Sequence, residues 1–69
     1  MDLWHHSERD EYYIRTGKTK VNGEKTWFEV RRVIPGERDI TMGDFRWATP
    51  KMVAELIQAG HSDLPVYYP

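Results

Sequence analysis

Trp27, Glu29 and Arg31 alternate with Phe28 and Val30 in the run Lys25 to Ile34. Successive side chains of a strand point to opposite faces. The run therefore sets an indole, a carboxylate and a guanidinium on one side, and Phe28, Val30 and Ile34 on the other. The first set is recognition chemistry: a flat ring, an acceptor and a planar donor. Catalytic constellations are missing. Gly17-Lys18-Thr19 lacks the earlier glycine of a phosphate loop. Ser7 and Ser62 sit in no nucleophile motif, and Asp39 and Asp44 are not spaced as a pair. His5 and His6 diverge on an extended chain, with His61 the one other histidine, so two solvated rings are expected rather than a metal site. The expectation is a binding protein without enzymatic activity, metal or cofactor.

The chain has 69 residues and no cysteine, so a single thin-cored domain is expected, with no disulfide and no thiolate metal site. No signal-peptide pattern opens it and no apolar run approaches membrane-spanning length, which predicts a soluble, cytoplasmic protein with no membrane partner. Net charge is −1, but unevenly spread. Residues 12–38 carry Arg15, Lys18, Lys20, Lys25, Arg31, Arg32 and Arg38 against Glu24, Glu29 and Glu37, an excess of four positive charges between two acidic ends. Such asymmetry suits an anion-binding surface or, more simply, a solvated hairpin with lysines on its edges.

The elements that must position these groups follow from pattern. Residues 1–10 are expected to be an irregular, flexible arm, with Trp4 capping the core. Glu11 to Thr16 predicts a first strand, Lys25 to Ile34 the central one and Arg38 to Phe45 a third. A three-residue loop, Val21-Asn22-Gly23, is expected between the first two, because it pairs Ile14 with Val30 and Thr16 with Phe28, and sets Arg15 opposite Glu29 and Tyr13 opposite Arg31. Ile34-Pro35-Gly36-Glu37 suits a type II turn, and Gly43 a bulge or a close backbone approach. Thr49-Pro50 starts a helix that Gly60 ends, with Met52, Val53, Leu56 and Ile57 as its apolar stripe. Residues 61–69 form an extended tail packed back on the domain. The expected fold is α+β: a three-stranded antiparallel sheet on one C-terminal helix, βββα, over residues 11–60.

Tyr13-Ile14-Arg15, Trp27-Phe28-Glu29-Val30-Arg31, Ile40-Thr41-Met42-Gly43-Asp44-Phe45 and the helix from Pro50 together resemble two related DNA-binding modules. These are the AP2-type domain of plant transcription factors and the arm-binding domain of phage-type tyrosine integrases. The resemblance spans residues 12–59 and implies that the exposed sheet face enters the DNA major groove. Arg15, Trp27, Glu29 and Arg31 fall at contact positions. Arg would read guanine, Glu would accept from cytosine and Trp would pack on sugar or a thymine methyl. Asp39 and Thr41 stand where the family presents basic or aromatic contacts, and Glu55 where integrase domains often have Arg.

The leading expectation is a small regulator contacting duplex DNA through Tyr13, Arg15, Trp27, Glu29 and Arg31, with Lys18, Lys20 and Lys25 on phosphates. The alternative is a protein-binding module, such as a phage or mobile-element inhibitor of a host or defence protein, using the same Trp-Arg-Tyr patch. A homodimer buried through that face is the third reading.

Overall fold

The computed structural model describes residues 1–69. Strands dominate it: β1 (Asp2–His6), β2 (Glu11–Asn22), β3 (Lys25–Pro35), β4 (Ile40–Ala48), β5 (Ile57–His61) and β6 (Val66–Tyr67), with one helix, α1 (Pro50–Glu55). They form one mixed sheet in the order β5-β1-β2-β3-β4-β6, antiparallel except for β4 with β6. This overturns the βββα expectation. β2, β3 and β4 are the three foreseen strands, but they are the middle of a six-stranded sheet rather than the whole of it.

The additional strands arise where pairing beats local preference. Asp2–His6, expected as an irregular arm, lies along β2, with Trp4 opposite Tyr13 and His6 opposite Glu11. The predicted helix stops at Glu55, because Leu56 is already extended at φ −74°, ψ 132°. An isolated short helix is marginal, whereas the outer edge of β1 offers a row of unpaired N–H and C=O groups. Ile57–His61 takes that edge as β5. Ile57, assigned to the helical stripe, is consequently exposed on an edge strand. The helix start matches its pattern: the Thr49 hydroxyl accepts from the Met52 N–H at 3.2 Å, with Pro50 next in line.

Both faces of the sheet carry a core. On one, Tyr13, Val30, Ala48 and Leu56 are buried together, with Trp4, Met52 and Val53 of β1 and α1 against them. On the other, Leu3, Val33, Ile40 and Met42 form a second cluster, closed by Met1, Tyr12, Ile14 and Val66. The second cluster requires curvature. Five interstrand spacings separate β5 from β6, about 24 Å in a flat sheet. The chain from His61 to Val66 covers that gap in five steps, at most about 17 Å of extended backbone. The sheet must curl to let its outer strands approach. Ser62 N–H donates to Met1 O at 2.8 Å and Ile40 N–H to Pro65 O at 2.9 Å, fastening both ends of this connection.

The β2–β3 hairpin departs from the expected register. Its loop is two residues, Gly23 and Glu24, closed by Asn22 opposite Lys25. Thr19 faces Phe28, and Arg15 faces Val30, so Thr16, Gly17 and Lys18 oppose Glu29 alone. Gly17 and Gly23 adopt φ of 87° and 67°, conformations that favour glycine. Below this bulge Ile14 pairs with Arg31 and Tyr13 with Arg32. The three-residue loop fails because it avoids the mixed pairs Ile14–Arg31 and Arg15–Val30, which form because both faces carry a core, and the bulge absorbs two extra residues between these pairs and the turn. The next turn also differs: Pro35 pairs with Ile40, and Gly36, outside the positive-φ region, donates to Asp39 O at 2.8 Å. At Gly43 a Cβ would lie 3.2 Å from Arg32 O, beside the β3–β4 register shift, so both the bulge and the close approach occur there.

Candidate nucleic-acid interface

The molecule is elongated, with extents of 42 × 23 × 17 Å. β1 pairs with β2 only as far as Tyr13, and β4 with β3 only as far as Phe28. From Thr19 to Lys25 the hairpin therefore stands as a two-stranded ribbon with both outer edges free. Lys18, Lys20 and Lys25 are all exposed on it or at its base. Residues 15–25 hold Arg15 and these three lysines against Glu24, an excess of three positive charges, while the rest of the chain is net negative.

Residues directly opposite one another share a face, so the register assigns sides. Trp27, Glu29 and Arg31 lie on the face away from α1, with Lys20 opposite Trp27, Trp47 opposite Glu29, and Ile14 and Phe45 opposite Arg31. The contacts agree. Lys20 Nζ stands 4.4 Å above the Trp47 ring, and the Arg31 guanidinium is 4.5 Å from the Phe45 centroid and 5.2 Å from that of Tyr68. Arg31 Nε also donates to Gly43 O at 2.9 Å, which fixes the guanidinium. Glu29 Oε1 accepts the Thr16 hydroxyl at 2.7 Å across the bulge. Trp27 Nε1 is buried with no acceptor.

Two expected contact residues lie elsewhere. Tyr13 is fully buried beneath α1, its hydroxyl 3.4 Å from Arg46 Nη1. Arg15 pairs with Val30 on the helix side and lies 5.1 Å from the Trp4 ring. Both were misplaced by the assumed register, since a one-residue slip exchanges the faces. Phe45, Trp47 and Tyr68 were missed. For the first two a signal was present, since Phe45-Arg46-Trp47-Ala48 continues the alternation of β4 beyond the strand end assigned at Phe45. Nothing local marks Tyr68, which reaches Arg31 only because β6 returns to β4.

The helix side holds ionic chemistry of another kind. Glu11 Oε2 lies 2.9 Å from Arg32 Nε and 3.6 Å from Arg46 Nη1. The first is a contact of charge rather than a directed bond, since the Arg32 N–H points elsewhere. His6, Glu8 and Glu55 place potential metal-ligand atoms within 4.8 Å of one another. However, His6 Nδ1 accepts the Arg9 N–H at 3.4 Å, which puts the ring proton on Nε2, facing Glu55 at 3.8 Å. A metal on Nε2 needs the opposite tautomer, and Arg9, Arg46 and Lys51 line the same cleft. The cluster reads as a buried histidine facing a glutamate.

No family model, curated protein or solved structure matches the chain. No helix is long and apolar enough to cross a membrane.

Proposed function

We propose that the protein is a non-enzymatic DNA-binding module whose β2–β3 ribbon enters the major groove of duplex DNA. The observation that carries this reading is the free two-stranded ribbon bearing Lys18, Lys20 and Lys25 on a chain otherwise acidic. The major groove is about 12 Å wide and admits such a ribbon. The lysines meet phosphates, which supply most of the affinity. The body of the sheet stays outside the groove and holds the ribbon at a fixed angle. The test is fluorescence anisotropy with a labelled mixed-sequence duplex. Three phosphate contacts predict a loss of about 40-fold in affinity between 50 and 200 mM salt. Replacing Lys18, Lys20 and Lys25 with alanine should flatten that dependence; no binding at low salt would end the proposal.

A protein-binding role is favoured by one observation, the Arg31 guanidinium lying against the rings of Phe45 and Tyr68, because exposed aromatic–arginine clusters suit interface hot spots. A stoichiometric protein captured after nuclease treatment, and released by Arg31→Ala, would support it over the DNA reading.

A further inference from the structure

We infer that the face formed by Arg31, Phe45, Trp47 and Tyr68 stacks unpaired bases, so that the preferred target is duplex DNA continuing into a single strand. This rests on the reading above and adds the substrate class of a neighbouring surface. Phe45 and Tyr68 keep 56% and 62% of their surface exposed, so packing alone does not account for them, and Trp47 keeps 39%. Phe45 and Trp47 are two residues apart on one side of β4, about 6.8 Å along the strand. That is about two of the ~3.4 Å steps of a stacked strand. A strand opened out of its stack can lay separate bases on two such rings, whereas a duplex keeps its base faces inside.

The charges complete the platform. Lys20 and Arg31 hold cations over these rings, 4.4 Å from Trp47 and 4.5 Å from Phe45. A backbone phosphate can therefore be met beside each base. Lys20 belongs to both the ribbon and the platform, so a strand leaving the groove passes onto Trp47. Glu29 sits between them, opposite Trp47. It repels phosphate but accepts hydrogen bonds from exocyclic amino groups such as cytosine N4. Bases turned inward and phosphates outward satisfy both requirements. A protein could also cover aromatic rings, but the adjoining excess of lysines matches a polyanion.

The experiment compares three labelled oligonucleotides by anisotropy: a blunt mixed-sequence duplex, the same duplex with an unpaired 3′ tail, and the duplex with an abasic tail of equal length. The tailed duplex should bind at least tenfold tighter than the blunt one, and the abasic tail should lose most of that gain. The tailed-to-blunt ratio should fall toward one in a Phe45→Ala, Trp47→Ala variant. It should fall less in Phe45→Leu, Trp47→Leu, which retains apolar bulk if alanine unfolds the strand. Equal binding of tailed and blunt duplex, the pattern expected if the face serves a protein partner, overturns this inference and leaves the DNA reading intact. A tail that works as well without bases overturns it too. Binding of none of the three overturns both.

Discussion

The closed end of the sheet and its projecting ribbon are built on opposite terms. At the closed end every central strand is paired on both sides, and buried clusters lie on both faces. Ile40, Val30, Val33 and Tyr13 are almost wholly removed from water there. In the ribbon two strands have only each other, and residues 15–25 are all exposed. Two positive-φ glycines, Gly17 at its base and Gly23 at its tip, shape it. Burial is what holds so small a chain together. The ribbon, contributing little to that, is free to carry charges that a core could not tolerate. Burial and exposed charge are thus separated along one hairpin.

This contrast is open to attack at both ends. The largest effect should come from Ile40→Ala, which empties a fully buried site at the closed end. A loss of about 2–5 kcal/mol is expected. A domain of this length holds only about 3–10 kcal/mol in total, so urea denaturation should show a midpoint far to the left, or no folded baseline. Next is Gly17→Ala. No atom crowds a Cβ there, so the cost is backbone conformation alone, roughly 1–2 kcal/mol at φ 87°. DNA affinity should drop as well, without any change of charge, because the ribbon's angle to the body shifts. The triple alanine variant at Lys18, Lys20 and Lys25 should lower stability by no more than about 1 kcal/mol, chiefly the Lys20 contact with Trp47. A larger loss would mean that the ribbon is part of what holds the fold.

The smallest effect concerns the fastening of β5 to β1. His61 Nδ1 lies 2.9 Å from Asp2 Oδ1, and its Nε2 3.1 Å from Asp63 Oδ1. The hydrogen bond to Asp2 raises the His61 pKa above the usual 6.5, the neighbouring N-terminal ammonium working against it. The same bond lowers the Asp2 pKa below 3.8. The histidine's contribution is fully present below pH 6.5 and is lost as pH rises through the raised value. That of Asp2 is present above 3.8 and lost as pH falls through the lowered one. Thermal unfolding should therefore show a slightly lower midpoint at pH 8.5 than at pH 6. Asp2→Asn should flatten that difference.

How far the sequence announced all this varies by residue. The middle of the fold was legible: alternation marked β3 within a residue of its observed end, and Thr49-Pro50 marked the helix start. β1 and β5 were not, because Asp2–His6 and Ile57–His61 carry little alternation and are strands by virtue of each other's edges. Of the candidate site, Trp27, Glu29 and Arg31 share the face away from the helix, as their spacing suggested, but that face carries a buried cluster of its own and leaves all three half-buried; the three lysines are exposed. Tyr13 and Arg15 went to the wrong side because matching apolar with apolar disfavours the pairs Ile14–Arg31 and Arg15–Val30, which form all the same in a sheet with a core on both faces. A glycine within a strand is the signal a bulge leaves, and Gly17, at φ 87°, is that signal here.

Backbone amide chemical shifts, followed while a mixed-sequence duplex is titrated into labelled protein, test the division of labour most directly. Changes should concentrate in residues 15–27, while α1 and the buried positions Val33, Ile40 and Met42 stay still. Changes centred on α1 and the cleft around His6, with the ribbon silent, would contradict it.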